Sequence, residues 1–366
     1  MKIAIVHDYL CGKGGSERIF QYICEEFPEA DAYALAFNPD QSYPYFSKRK
    51  IQTTWLNRFV QSMDVFRKSF PIATYAMQML DFSQYDIVLS SSATVGKYIN
   101  VPSKKHICYC YIPTRAIWHF DKYFNKKGFK VKLFKLLLPY LKKRDYKVAQ
   151  SVWKFIAISE DSKGYIKKYY NKNADIINCP INLENFYSSE NKKEHYLIVS
   201  RLEHWKRVDY AIEAFNKLGL PLKVIGVGLE KERLQNMAKS NISFLGSVDD
   251  RTLAKEYSEA KAVIFTPFLE YGLIPLEANA SGTPVICYGK GGVTEIMIST
   301  DDLRAEQTPP TAVFFYNQTS DALIEAIKKF ESVEFNSDDL VNHANKFSIP
   351  AFKQKIRKYI EESALL

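Results

Sequence analysis

The 366-residue chain has no uninterrupted apolar run approaching the roughly 18 residues of a membrane-spanning helix. It also has no low-complexity segment, and 25% of its residues are charged, so disorder is not expected. Cysteine is scarce: Cys11, Cys24, Cys108, Cys110, Cys179 and Cys287 are scattered without metal-site spacing and read as reduced thiols. The opening MKIAIVHDYL carries one lysine and a short apolar run closing at His7 and Asp8. That run is too short for a secretory signal and is expected to be a first β-strand of a cytoplasmic protein. What the chain does have is an excess of positive charge: 50 Lys and Arg against 41 Asp and Glu, a net +9 and a pI near 9.0. Such a balance suits an anionic partner, whether nucleic acid, a phosphorylated small molecule or an acidic membrane surface.

With 46% hydrophobic residues, the chain is long enough for two core-forming domains. KIAIVHDY, DIVLSSS, HICYCYI, FIAIS and DIINCPI read as strands of a first half. HYLIVSRL, LKVIGVG, ISFLGSV, AVIFTP, PVICYG and AVFFY read as strands of a second. Helical patterns such as Val208–Leu218, Glu230–Lys239 and Thr252–Ala260 lie between them. This alternation predicts an α/β fold with parallel sheets covered on both faces. The polar stretch YSSENKKEHY at 187–196 predicts domains over 1–188 and 189–345. Residues 346–366 form a last helix with Phe352, Ile356 and Ile360 on one face, which either ends the second domain or crosses back to the first. Ligand loops belong at the carboxyl ends of the strands.

Four stretches can carry chemistry. CGKGGSERIF at 11–20 follows strand one; Gly12, Gly14 and Gly15 permit close approach of a phosphate to a helix start. The same residues would equally make a plain tight turn with Ser16 as N-cap. SRLEHWKR at 200–207 sets Arg201 and Lys206 between a strand and a helix, a clamp for a diphosphate or else a solvated charge run. GVGLEKERL at 226–234 is a Gly-x-Gly turn, which reads first as a bare turn. FTPFLEYGLIPLEANASGTPVI at 265–286 puts Pro275 at the first residue of a helix and Gly282 past its end. Glu277 then sits in the first helical turn and Glu270 in the preceding loop, where carboxylates can accept from sugar or ribose hydroxyls or serve as caps.

Taken together and in this order, these motifs resemble the retaining glycosyltransferases of family 4, of GT-B fold. EYGLIPLEANASGTPVICYGKGGVTEI, SRLEHWKRVDYAIEAF, GVGLEKERL, FLGSVDD, HDYLCGKGGSER and SEDSKGYIKKYY…NCPINLENF carry the likeness across nearly the whole chain. The closest similarity is to the branch that builds bacterial surface polysaccharides such as O-antigen and capsule, with mannosyl- or rhamnosyltransferase-like members. The resemblance implies two Rossmann-like doubly wound domains facing a central cleft, an acceptor-binding one first and a donor-binding one second. Arg201 and Lys206 would act catalytically, holding the diphosphate as it leaves. Glu277 would grip the ribose, and Gly246, Ser247 and Val248 would contact the base. Gly272, Leu273 and Ile274 would offer backbone N–H groups to the sugar or phosphate, with Glu270 and Tyr271 also among the donor-binding residues. Gly14 and Gly15 would lie against the phosphates or the acceptor. His7, Tyr111, Arg115, Trp118 and His119 would form the sugar and acceptor side. The implied donor is a UDP-, GDP- or dTDP-sugar, a substrate rather than a cofactor, and no cofactor is expected. No Asp-x-Asp triplet occurs, in keeping with the metal independence the resemblance implies. The implied reaction retains anomeric configuration, by same-face attack of the acceptor.

Two positions depart from that pattern. Aligned on Gly272 and Glu277, the first glutamate of the family motif falls on Leu269, one residue before Glu270. A histidine of the family that reaches the sugar near its sixth carbon is replaced by Tyr111, and a threonine by Ile112. Both changes concern the sugar end, which fits either a 6-deoxy donor or a local rearrangement using His119 or Glu270. KYFNKKGFKVKLFKLLLPYLKKRDYK at 122–147 holds ten Lys or Arg with Phe129, Leu133, Leu136, Leu137 and Tyr140 near helical spacing, and Pro139 is expected to bend or end it. Such a segment either lies on the anionic inner face of the plasma membrane, where a lipid-linked oligosaccharide acceptor would be met, or packs as an ordinary helix. No recognition module accompanies the charge, so no nucleic-acid partner is expected. The alternatives to a transferase are a non-catalytic nucleotide-sugar or glycan-binding protein and a nucleotide-sugar epimerase.

Overall fold

The computed structural model describes residues 1–102, 105–120, 129–269 and 271–366, with the backbone alone at Asp64 and at 129–133. Two compact units result, Met1–Cys179 with Phe352–Leu366, and Pro180–Ala351. The division falls before the polar stretch at 187–196 because Ile181 is already buried in the second unit's core, bridged to Ser348.

The first unit is a seven-stranded, all-parallel sheet. Its strands are β1 (Ile3–His7), β2 (Asp31–Ala34), β3 (Ile51–Thr53), β4 (Ile87–Ser92), β5 (His106–Cys110), β6 (Lys154–Ala157) and β7 (Ala174–Ile176). They lie in the order β3-β2-β1-β4-β5-β6-β7. Its longer helices are α1 (Gly15–Glu26), α2 (Met63–Gln78), α3 (Phe129–Ser151) and α4 (Glu160–Tyr170). α3 runs unbroken through Pro139, where the sequence led us to expect a bend or an end; α2 likewise contains Pro71. Strands β2 and β3, which the sequence reading did not single out, extend the sheet on the far side of β1. α1 starts at Gly15 with Gly14 as N-cap, not Ser16; the Ser16 hydroxyl turns to Glu17 instead, at 3.0 Å.

The second unit is a six-stranded parallel sheet of order β10-β9-β8-β11-β12-β13. Its strands are β8 (Tyr196–Val199), β9 (Leu222–Ile225), β10 (Ile242–Gly246), β11 (Ala262–Phe265), β12 (Val285–Tyr288) and β13 (Ala312–Phe315). Its longer helices are α5 (Val208–Leu218), α6 (Lys231–Met237), α7 (Asp250–Glu259), α8 (Ile274–Ala280), α9 (Ser320–Phe330) and α10 (Ser337–Asn345). Alternate residues of the same strands enter opposite cores. Ile198, Ile264, Ile286 and Val313 share one, and Leu197, Val263, Val285 and Ala312 the other. A period of two with both faces covered is what makes these strands read as unbroken apolar runs. Helix α11 (Ile349–Ala364) packs from Phe352 onward on the first unit. Lys353 pairs with Glu25 at 2.8 Å, Arg357 with Glu26, and the Tyr359 hydroxyl donates to Asp175 at 2.7 Å. No described helix is long and apolar enough to cross a membrane.

Candidate functional site

In a doubly wound sheet, the strand order reverses beside the first strand, and the loops leaving the carboxyl ends there open a crevice. In the second unit that point lies between β8 and β11. The loop after β8 carries Arg201, Trp205 and Lys206, and the loop after β11 runs from Thr266 into α8. Among the described residues, the Thr266 hydroxyl donates to the Lys206 carbonyl at 2.8 Å and ties the two loops together. Trp205, which sequence reasoning passed over inside SRLEHWKR, is 47% exposed and stands between the two cations. Its ring lies 4.3 Å from the buried Lys206 ammonium and 5.9 Å from the Arg201 guanidinium. An aromatic face can hold two like charges near one another without neutralising either. Arg201 itself is exposed.

Backbone contacts hold this loop in place. Ser200 donates its N–H to Ile225 at 3.0 Å, Leu202 to Val227 at 2.9 Å, and Glu230 to Leu202 at 2.9 Å. Gly226, at φ +139°, makes this possible, because a Cβ there would lie 1.8 Å from the Ser200 carbonyl oxygen. The Gly-x-Gly turn therefore serves loop-to-loop packing. Gly246 ends β10 at φ +71° and accepts from the Gly226 N–H at 2.8 Å; Ser247 beyond it is exposed, while Val248 packs against the core.

Helix α8 begins at Ile274 with Pro275 second rather than first. Glu277 accepts from the hydroxyl of the fully buried Tyr257 at 2.9 Å, and burial raises its carboxyl above the usual range. Tyr257 lies 20 residues earlier, on α7, and no sequence signal pairs it with Glu277. Gly272 is required by packing: a Cβ would meet the Phe265 ring at 2.9 Å. Tyr271, Leu273 and Ile274 rest against the same core. Leu269 is partly buried there too, its carbonyl accepting from Gly292 at 2.9 Å. Glu270 lies outside the described residues.

The first unit's switch point lies between β1 and β4. There Asp8, buried, accepts the N–H groups of Ala93, Thr94 and Gly96 at 2.7, 2.9 and 2.6 Å and the Ser92 hydroxyl at 3.1 Å. Asp8 was not among the expected residues, although its place just past strand one could have marked it. Gly14 faces Glu17: a Cβ there would lie 2.5 Å from the carboxylate, whereas Gly15 has open space. Of the remaining candidates, His7 and Tyr111 come together. The His7 Nδ1 lies 3.1 Å from the Ser91 hydroxyl, which lies 2.9 Å from the Tyr111 hydroxyl; the latter donates to the Ser16 carbonyl at 3.0 Å. Burial pushes the Tyr111 phenol far up. Trp118 and His119 belong to a second group. Trp118 donates to buried Asp145 at 2.6 Å and stacks on Tyr169, and His119 meets Tyr165 and Tyr169 edge-on. Arg115 is exposed at the start of a short helical turn.

Residues 182–347 match the family described as glycosyl transferases group 1. The matched residues all lie within the second unit. Over 127 residues the chain is 31% identical to an uncharacterized glycosyltransferase of Methanocaldococcus jannaschii, covering 32% of this chain and 33% of that protein. Over 114 residues it is 32% identical to a glycogen synthase of Mycobacterium tuberculosis, covering 28% of each. The chain thus spans about a third or less of these curated relatives. Among solved structures, it is similar to sucrose-phosphate synthase from Thermosynechococcus elongatus, with a TM-score of 0.70, 14% identity and 99% coverage of both chains. It is also similar to Anabaena HepE in complex with UDP, with a TM-score of 0.68, 15% identity, and 99% and 100% coverage. The same protein in complex with UDP-glucose gives 0.65 at 13% identity, with the same coverage. At these identities the likeness is one of fold, a GT-B architecture of two Rossmann-like units.

Proposed function

We propose that the protein is a retaining glycosyltransferase, moving a sugar from a nucleotide-sugar to a glycan acceptor. The observation that carries this reading is the Arg201–Trp205–Lys206 group at the switch point of a group 1 domain. In the proposed reaction the bond between the anomeric carbon and the diphosphate oxygen breaks. An acceptor hydroxyl forms a bond to that carbon on the same face, and its proton passes to the departing diphosphate. Arg201 and Lys206 stabilise the charge that develops, an electrostatic role needing neither a protein nucleophile nor a metal ion. Glu277, fixed by Tyr257, accepts from the ribose, and the Gly246–Val248 loop meets the base. The Gly272–Ile274 turn, with the first amides of α8, faces the sugar or phosphate. Uracil is the first base to test, since HepE was solved with UDP and with UDP-glucose.

At the sugar end, Tyr111 has its hydroxyl engaged by Ser91 and Ser16, and Leu269 is packed in the core. Neither offers a partner to a 6-hydroxyl, which supports a 6-deoxyhexose as the transferred sugar. We assign the first unit to the acceptor, taken as a lipid-linked oligosaccharide of a bacterial surface polysaccharide. It would be met at the cytoplasmic face of the membrane by the basic segment 122–147, of which 122–128 lie outside the described residues. The test is nucleoside diphosphate release from UDP-, GDP- and dTDP-sugars offered as 6-hydroxy and 6-deoxy pairs. Turnover of a 6-deoxy donor, lost in Arg201→Ala with folding intact, supports the whole reading. Preference for an ordinary hexose removes the deoxy-sugar assignment. Release that is indifferent to Arg201 removes the clamp.

A further inference from the structure

Helix α2 took no part in the reading above, yet it is exposed in an ordered way. Val65, Ile72, Tyr75 and Met79, at the end of the helix, are all exposed, Met79 by 73%. Their spacings of seven, three and four residues put them on one helical stripe. α3 has a stripe of its own: Leu136, Tyr140, Lys143 and Lys147, at spacings of four, three and four, are all exposed, Leu136 by 77%. Its first two positions are apolar or aromatic and its last two are cationic. The two helices meet here. The Tyr75 and Tyr140 hydroxyls lie 2.6 Å apart, the Arg144 guanidinium lies 3.4 Å from the centre of the Tyr75 ring, and Arg144 donates to Gln78 at 2.9 Å. The stripes therefore form one patch. A cavity of about 500 Å³ beside it is lined by Gln78, Asn100, Tyr140, Lys143, Arg144 and Lys147, among others.

Charge decides what covers this patch. Residues 129–151 carry seven Lys or Arg and one acid, Asp145, which is buried against Lys97 at 2.9 Å and offers nothing at the surface. We propose that the joint α2–α3 face docks on an anionic lipid bilayer, with Ile72, Tyr75, Met79, Leu136 and Tyr140 entering the interfacial region. Lys143 and Lys147, at the cavity rim, take lipid phosphates. Large exposed apolar side chains beside a cationic α3 whose single acid is buried match a lipid interface, with Asp81 just past the end of α2 an exposed acid beside Met79 in sequence, whereas nucleic acid gains nothing from Met79 or Leu136. Gln78, Ser151 and Asn100 precede β4, β6 and β5, so the cavity lies at the amino ends of the strands, opposite the first unit's switch-point loops. The docking surface is thus separate from that crevice. It deepens the membrane clause of the proposed function by adding a second helix to it.

The test is co-sedimentation of the full chain with vesicles of phosphatidylglycerol and phosphatidylcholine, and with phosphatidylcholine alone. Nucleotide thermal shift is measured on the same samples. The face requires binding to the mixed vesicles and weak binding to neutral ones. Ile72→Asn with Met79→Asn should lower the partition coefficient about ten-fold, as should Lys143→Glu with Lys147→Glu, each with unchanged Tm. Equal binding to neutral vesicles overturns the proposal, as does a double α2 variant that binds like the parent. Absence of vesicle binding, with or without a dimer that these variants abolish, overturns it too. If the nucleotide shift persists in that case, the transferase reading stands. Vesicle binding without any nucleotide shift keeps the docking face and counts against the transferase.

Discussion

The two units repeat one topology and use its switch point in opposite ways. In the first, three backbone N–H groups converge on the carboxylate of Asp8, and a second acid, Glu17, fills the space beside Gly14. A set of amides that could have received a phosphate is thus occupied by the chain itself. In the second, the equivalent position holds cations around an exposed indole, with Arg201 reaching solvent. The same contrast appears away from the crevices. Lys97 is buried, bonded to Asp145 at 2.9 Å and to the Thr114 hydroxyl at 2.9 Å. Asp145 also accepts from Tyr98, Tyr170 and Trp118. Burial alone would push the Asp145 carboxyl up, but the Lys97 charge and these donors outweigh it and hold the group low. A fold can place a charge where sheet geometry focuses ligands and still use it for architecture. What separates the two cases is exposure: Arg201 reaches solvent, whereas Asp8 and Lys97 are buried against their partners.

This comparison is broken most directly at Lys97. Lys97→Met strands a buried carboxylate, and such a change costs about 3–5 kcal/mol, read as a lower urea midpoint. A cost below about 1 kcal/mol would mean that Asp145 is satisfied by its neutral donors alone. His106 tests the same economy by pH. Burial first, and the Lys97 charge second, depress its imidazole from 6.5 to about 3. Between those values the unfolded chain binds a proton that the folded one refuses. Stability is therefore complete above pH 6.5 and falls as the pH drops toward 3, by roughly 5 kcal/mol at most at 1.36 kcal/mol per unit. In His106→Gln the urea midpoint should lose this part of its slope; an unchanged slope would assign the acid sensitivity elsewhere.

Much of this arrangement was legible beforehand. β8, β9, β11, β12 and β13 were visible because strands buried on both faces are plain apolar runs, and α5 was read with the bounds it has. β2 and β3 were missed: DAYA has no β-branched residue, and IQT, though β-branched at two positions, is only three residues long. Ser16 looked like a cap because its type and place suited one, but Glu17 competes for its hydroxyl. Arg201 and Lys206 were singled out from charge at the end of a strand, yet Trp205 between them was not, since an aromatic beside basic residues has no spacing rule of its own. Asp8, Asp145 and Tyr257 depend on partners 20 to 88 residues away, and such pairings exist only once the sheet order is known.

On the second unit's side, the comparison predicts that charge can be removed without architectural cost. Arg201→Ala should leave the urea midpoint within about 0.5 kcal/mol of the parent while lowering turnover by about 10²–10³-fold, the usual cost of losing one donor to a developing oxyanion. A large stability loss would show that Arg201, like Lys97, is used for architecture. Tyr257→Phe is the mildest probe, because it removes one hydroxyl and leaves the buried ring. Losing its bond should cost about 1 kcal/mol and free Glu277 to turn. If Glu277 grips the ribose, the KM for the nucleotide-sugar should rise severalfold while kcat holds, because ribose binding is the same in the ground and transition states. A fall in kcat with KM unchanged would instead place Glu277 near the reacting centre, and the second unit's crevice would have to be redrawn around it.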